Sequence, residues 1–248
     1  MHTRTHAGLV GLAAFVICLA GCKTTSPHAD ENTMGAEHAD ATPHRKGSLH
    51  MRPDLHPECP VCNLYTTHRE GIVRIVTATG QGSGVVVTAD GDILTSAHVV
   101  TEQDVVLIST WGGSEYAGTV VAKNEASDLA VVRVTQAATW QPIELEHGGE
   151  TPVGSKVFVI GHPVGLGWTV SQGIISAQRR ASEIAPTALI QTDAAVSPGN
   201  SGGALLAEDG HLRGIIRSKL VGQGIENVSF AVPLADVEVF LAKVPARK

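Results

Sequence analysis

Ile190-Gln191-Thr192-Asp193-Ala194-Ala195 runs through Val196-Ser197-Pro198 into Gly199-Asn200-Ser201-Gly202-Gly203, after which Ala204-Leu205-Leu206 resumes an apolar run. The five residues at the centre decide the reading of the whole chain. A serine flanked by glycines suits a nucleophile on a tight turn. The missing side chains let a substrate carbonyl approach and let backbone N–H groups converge on its oxygen. Glycine and serine are also ordinary turn residues, so the stretch needs partners elsewhere in the chain.

Two partners lie upstream. Thr95-Ser96-Ala97-His98-Val99-Val100 places a histidine after the apolar run Asp92-Ile93-Leu94, and Ala126-Ser127-Asp128-Leu129-Ala130-Val131-Val132 places an aspartate at the head of a β-branched run. His98, Asp128, then Ser201 is the chain order of the chymotrypsin-type triad of base, orienting carboxylate and nucleophile.

Working outward, the body of the chain reads as short strands. Gly71–Thr77 alternates, Gly82-Ser83-Gly84 reads as a turn into Val85–Val87, and Ala89-Asp90-Gly91-Asp92 signals a hairpin into Ile93–Thr95. Asp104–Ser109, Glu115–Ala122 and Leu129–Val134 continue the series. Thr135–Glu150 reads as a connector. A second series follows at Lys156–Ile160, Trp168–Ser176, Ala188–Asp193, Gly203–Leu206, Leu212–Ser218 and Val228–Val232, and Pro233–Lys243 suits a helix. Two sets of about six strands predict an all-β fold, a chymotrypsin-like double antiparallel β-barrel with a short C-terminal helix. The barrels are expected at about 69–135 and 150–235, within a peptidase domain of 69–248. His98 and Asp128 then fall in the first barrel and Ser201 in the second, with a cleft between.

The chain has 248 residues, a formal net charge of −6 and no long basic stretch, which excludes a nucleic-acid partner. No cofactor is expected. Eight of the twelve histidines precede residue 70, separating a head from the body. Arg4 and the apolar run Ala7–Ala20 form a targeting segment over 1–21, too short for a comfortable transmembrane helix. The run ends in Leu19-Ala20-Gly21-Cys22, which resembles the lipobox of bacterial lipoproteins. That resemblance implies acylation of Cys22 and a membrane anchor, stable when several acyl chains are attached. Lys23 after the cysteine favours an outer membrane by the lipoprotein sorting pattern.

Residues 22–68 lack periodicity and read as a flexible tether. Within it Cys59-Pro60-Val61-Cys62 is flanked by His56 and His68. Three readings stand. They are a local disulfide, a zinc-type site of His56, Cys59, Cys62 and His68, and a redox-active pair. Asn63 excludes haem attachment, which needs a histidine there.

Ile93–Val100, Ser127–Val131, Gly161-His162-Pro163-Val164-Gly165-Leu166-Gly167, Ile190–Leu205 and Ser229–Pro233 together resemble the HtrA/Deg (Do-like) serine proteases, over about residues 70–240. The resemblance implies an endopeptidase acting on unfolded or damaged envelope proteins, with a homo-trimer as a common family state. Family members usually carry PDZ domains after the protease domain. The sequence ends at Lys248, and no PDZ domain is expected. Ser201 would attack, His98 would serve as base and then acid, and Asp128 would fix the imidazole tautomer. The oxyanion hole would use N–H groups of Gly199, Ser201 and also Asn200. Asn200 is an amide where zymogen-activated relatives of trypsin carry a carboxylate, so loop ordering around His162–Trp168 is the expected switch. Ala195, six residues before the nucleophile, gives a small pocket floor that disfavours basic P1 residues and suits small aliphatic ones. Arg217, Ser218 and Lys219 would line or rim that pocket by family alignment, where cations would draw acidic residues. Their other reading is a solvated edge. Two alternatives to proteolysis remain. One is a chaperone or binding module on the same fold, and the other a metal- or redox-responsive surface protein using the Cys/His head.

Overall fold

Val, Ile and Leu recur in short runs through the body, and the computed structural model turns these runs into strands, several of them buried at successive positions. It describes residues 59–145, 151–181, 187–220 and 226–247. The targeting segment, Cys22, His56 and most of the tether lie outside the described residues. All described residues belong to one compact unit, Met51–Lys248. Among them no helix is long and apolar enough to cross a membrane.

Strands β1 (Ile72–Val76), β2 (Gln81–Val86), β3 (Asp92–Thr95), β4 (Val105–Ser109), β5 (Glu115–Asn124) and β6 (Leu129–Val134) close into a barrel in the order β1-β2-β3-β6-β5-β4. Strands β7 (Lys156–Gly161), β8 (Thr169–Arg179), β9 (Leu189–Thr192), β10 (Ala204–Ala207), β11 (Leu212–Lys219) and β12 (Ser229–Pro233) close a second barrel in the order β10-β11-β12-β9-β8-β7. Every pairing is antiparallel. The double barrel with a short terminal helix is the architecture expected from the strand series.

Each barrel has its own core. Ile75, Ile93, Ile108 and Val132 fill the first, and Val159, Ile175, Leu205 and Ile216 the second. A third cluster spans both, joining Ile72, Leu94 and Leu129 to Phe158, Ile160 and Leu212. Fully burying such a side chain contributes roughly 1.5–3 kcal/mol, so this shared layer fixes one barrel against the other and defines the cleft.

Among the described residues three α-helices decorate the barrels: α1 (Pro60–His68), α2 (Ala97–Val100) and α3 (Leu234–Leu241). Helix α1 falls in the stretch read as tether. Val61, Leu64 and Tyr65 share one helical face, and Leu64 is buried in the shared core with Val61 and Tyr65 packed against it. Nine residues are too few for a periodic signal to stand out. The glycines read as a turn at 82–84 lie inside β2 instead. A Cβ at Gly82 would meet Val99 and the Ser201 carbonyl, and one at Gly84 would meet Ile93 and Ile75.

Candidate active site

The first barrel pairs His98 with Asp128, and Arg217 of the second barrel links that pair to the turn of Ser201. His98 sits on the single turn of α2, immediately after β3. Asp128 precedes β6 in left-handed backbone, at φ 55°. Its carbonyl accepts the Ala97 N–H at 3.1 Å, and its Oδ1 accepts the His98 N–H at 3.0 Å. The imidazole Nδ1 lies 2.8 Å from Asp128 Oδ2 and 3.0 Å from Oδ1. The carboxylate is buried while the histidine side chain is 50% exposed.

Ser201 lies in the turn before β10. That turn is locked by the Gly202 N–H on the Ile216 carbonyl at 2.7 Å and the Gly203 N–H on the Asn200 carbonyl at 2.9 Å. Ser201 Oγ donates to the Arg217 carbonyl at 3.1 Å. Among the described residues no hydrogen bond joins it to His98. Catalytic hydrogen bonds commonly tighten only when substrate is bound.

Gly199 has φ 99°, and a Cβ there would collide with the His162 carbonyl, so only glycine fits. Among the described residues, neither the Gly199 nor the Ser201 N–H is engaged by an internal acceptor. Both remain free for an incoming oxyanion. Asn200 departs from its expected role. Its N–H closes the turn onto the Ser197 carbonyl at 3.0 Å, so it is not a third donor.

The sequence reading missed Ser83, which holds the nucleophile loop from the opposite barrel. Its N–H donates to the Ser201 carbonyl at 2.8 Å, its Oγ donates to the Gly199 carbonyl at 2.7 Å, and the His162 N–H reaches the same Oγ at 3.0 Å. Thr95 Oγ1 in turn donates to the Ser83 carbonyl at 2.7 Å. The glycines on either side of Ser83 were the available signal, because they mark close backbone approach.

The segment 162–168, between β7 and β8, packs against the nucleophile loop. The Val164 N–H donates to the Pro198 carbonyl at 2.7 Å, and the His162 ring is edge-on to Trp168 at 4.4 Å. His162 is wholly buried. Burial, reinforced by the Arg74 charge, pushes its imidazole down to about 4, and a Val73 backbone group offsets only part of this. Neither ring nitrogen makes a hydrogen bond of full geometry.

Ala195 and Lys219 line a cavity of about 380 Å³ beside the nucleophile loop, with Val196, Ser197, Leu220, Glu226 and Ser229. A larger cavity of about 430 Å³ lies between β8, β9 and the start of α3, away from His98 and Ser201, so the smaller one is the candidate specificity pocket. Arg217 and Ser218 do not line it. The register of β11 against β12 shifts between Ile216 and Ser218, so Arg217 is the extra residue of a bulge, and bulges re-aim side chains. Its Nε lies 3.5 Å from Asp128 Oδ2, against the carboxylate that holds His98 rather than in the pocket. Ser218 and Lys219 are exposed.

Cys59 and Cys62 are joined in a disulfide, which leaves neither thiolate for a metal. His68 packs against Gly210 instead. Among the described residues no group of three or more His, Cys, Asp or Glu side chains is placed to hold a metal.

Two closed six-stranded antiparallel barrels, one carrying the His98–Asp128 pair and the other Ser201, are the architecture of the trypsin-like class of peptidase. The sequence profile of the trypsin-like peptidase domain matches residues 82–215, a span that contains all three residues, and the chain belongs to this family. Within the family its similarity is to HtrA-type serine proteases. It is 35% identical over 169 residues to the serine endoprotease DegS of Haemophilus influenzae, covering 66% of this chain and 49% of that protein. It is 34% identical over 173 residues to the serine protease Do-like HtrA of Bacillus subtilis, covering 65% and 38% respectively. A serine protease HtrA-like protein of Staphylococcus aureus is 33% identical over 181 residues, covering 67% and 24%. The chain thus spans about half or less of the length of these relatives.

Proposed function

We propose that the protein is a serine endopeptidase that cuts unfolded or damaged proteins in the bacterial envelope, held to a membrane through acylated Cys22. The observation that carries the reading is the His98 imidazole, oriented by Asp128 at 2.8 Å, across the cleft from a serine whose turn leaves two N–H groups free.

In the proposed reaction His98 Nε2 takes the Ser201 hydroxyl proton as Oγ attacks the scissile carbonyl, and Asp128 stabilises the imidazolium that forms. The Gly199 and Ser201 N–H groups receive the oxyanion. Losing one such donor costs roughly a hundred- to a thousand-fold in turnover. The imidazolium then protonates the leaving amine, and water attacks the acyl-enzyme with His98 again as base. The pocket floor at Ala195 suits small aliphatic P1 residues, and Lys219 at its rim favours acidic ones.

The test is hydrolysis of unfolded casein by the full chain beside Ser201→Ala, with fragments mapped by mass spectrometry and Ser201 titrated with a fluorophosphonate probe. Cleavage and labelling lost in Ser201→Ala are expected. A folded protein that neither cleaves nor labels would overturn the reading. The bond from Ser201 Oγ to the Arg217 carbonyl, which turns the hydroxyl away from His98, favours the second reading in that event, a binding or chaperone module on the same fold. Acylation of Cys22 is tested by metabolic labelling with a fatty-acid probe and its loss in Cys22→Ala. Trimerisation is tested by sedimentation.

A further inference from the structure

The Cys59–Cys62 disulfide plays no part in the chemistry above, yet it closes the first turn of the helix that touches the active-site loop. We propose that this pair is a thiol–disulfide exchange site whose partner is a dithiol, and that its oxidised form holds the oxyanion turn in place through α1 and Trp168. The second half rests on the peptidase reading.

The exchange chemistry follows from position. Cys59 is the N-cap of α1, and its Sγ accepts the Cys62 N–H at 3.2 Å. Neither cysteine is in the core; both are half-buried beside an exposed Pro60. A sulfur at a helix N-terminus that accepts an N–H is favoured as thiolate, and Cys-x-x-Cys spacing at such a site makes the bond exchangeable. A donor thiolate would attack Cys62 Sγ. Cys59 would leave as the thiolate, retained by the Cys62 N–H, and the S–S bond would be replaced by a mixed disulfide. The second donor thiol then displaces Cys62. Two electrons and two protons pass to the pair, and the donor leaves as its own disulfide.

The mechanical link is a continuous set of contacts. A nine-residue helix is marginal alone, so α1 depends on the staple at its start and on Leu64 and Tyr65 further along. Tyr65 Oη donates to the Trp168 carbonyl at 2.8 Å. Trp111 stands edge-on to Tyr65 at 6.1 Å and to Trp168 at 5.4 Å, with the Arg69 guanidinium over its face at 4.6 Å. Trp168 Nε1 donates to the Ile72 carbonyl at 2.8 Å, which pins the end of the 162–168 segment to the first barrel. The start of that segment carries the His162 carbonyl against Gly199, and the Val164 N–H on Pro198. Loosening α1 therefore removes one of the two hydrogen bonds that hold Trp168, at one end of a segment whose other end shapes the oxyanion donor.

The experiment measures the rate of fluorophosphonate labelling of Ser201 in the full chain, oxidised and after dithiothreitol, with alkylated peptides counted by mass spectrometry. Cys59→Ser/Cys62→Ser separates the pair from Cys18 and Cys22, and Tyr65→Phe removes only the hydroxyl contact. Reduction is expected to proceed in the folded protein and to slow labelling by roughly two- to ten-fold, the factor carried by one net hydrogen bond. The double serine variant should start slow and ignore the reductant. Tyr65→Phe should also start slow and respond less. A pair that becomes reducible only on unfolding overturns the exchange site. Full alkylation with unchanged labelling overturns the coupling, and so does a response that persists in the double serine variant. Absence of labelling in both redox states overturns the peptidase reading, while the thiol count still reports on the exchange.

Discussion

Acid should weaken this protein through one buried imidazole. His162 is fully buried, with its imidazole pushed down to about 4 from the ordinary 6.5 by burial and then by the Arg74 charge. The unfolded chain binds a proton there more readily than the folded one, so the neutral ring's contribution is whole above pH 6.5 and is lost as pH falls toward 4. At about 1.4 kcal/mol per pH unit, the gap amounts to roughly 3 kcal/mol below pH 4, and roughly 2 kcal/mol is already gone near pH 5. That is a large share of the stability of an ordinary domain. The assay is guanidinium unfolding of the full chain at about pH 7.5 and about pH 5, beside His162→Phe, which keeps a ring edge toward Trp168 but cannot titrate. The other histidines are common to both proteins and cancel in the comparison. Wild type should lose roughly 2 kcal/mol more than the variant between the two pH values. Equal losses would refute the reasoning. Because the His162 carbonyl abuts Gly199, activity should fall over the same acid range more steeply in wild type than in His162→Phe.

Gly199→Ala should fold, by circular dichroism, yet lose a hundred-fold or more in turnover, about the cost of one oxyanion donor, because a Cβ there displaces the turn from His162; near-normal kcat/KM would contradict this. Arg217→Ala should change kcat while leaving the P1 profile of casein fragments intact, since Arg217 faces Asp128. Lys219→Glu should shift that profile away from acidic residues, because Lys219 lines the pocket; the opposite pattern in mapped fragments would restore Arg217 to the pocket. Asp92 is held by Arg133 at 2.8 Å and Arg247 at 2.7 Å. Burial works to raise its carboxyl, but hydrogen bonds and charge from both arginines outweigh it and hold the carboxyl below its usual value. Its contribution is therefore intact above about pH 4 and lost as pH falls further. Asp92→Asn should cost about 1.5–3 kcal/mol at neutral pH, the range of a hydrogen bond to a charged group, read as a lower denaturation midpoint.

The chain order His98, Asp128, Ser201 and the glycines around Ser201 were legible because local chemistry demands them: a nucleophile needs an uncrowded turn, and φ 99° at Gly199 admits no side chain. The strands were legible because short apolar runs, mostly rich in Val and Ile, are bounded by turn residues, a property of neighbours in sequence. Helix α1 was not, since its single buried residue, Leu64, declares itself only against cores built from residues far along the chain. Ser83 was not legible: its flanking glycines read as a turn, whereas they lie inside β2 and admit the close approach of the nucleophile loop. Two site residues were read in the right place with the wrong direction. Asn200 belongs to the nucleophile turn, yet the closure of that turn on Ser197 removes its N–H from the oxyanion hole. Arg217 belongs to the strand beside the pocket, yet a bulge against β12 turns it to Asp128. Sequence by itself determined which groups are present, in what order, and the period of each strand, because these follow from covalent neighbours. Only the tertiary structure decided where Arg217 points, which N–H groups stay free and what α1 leans on, because each depends on the pairing of segments brought together across the closed barrels.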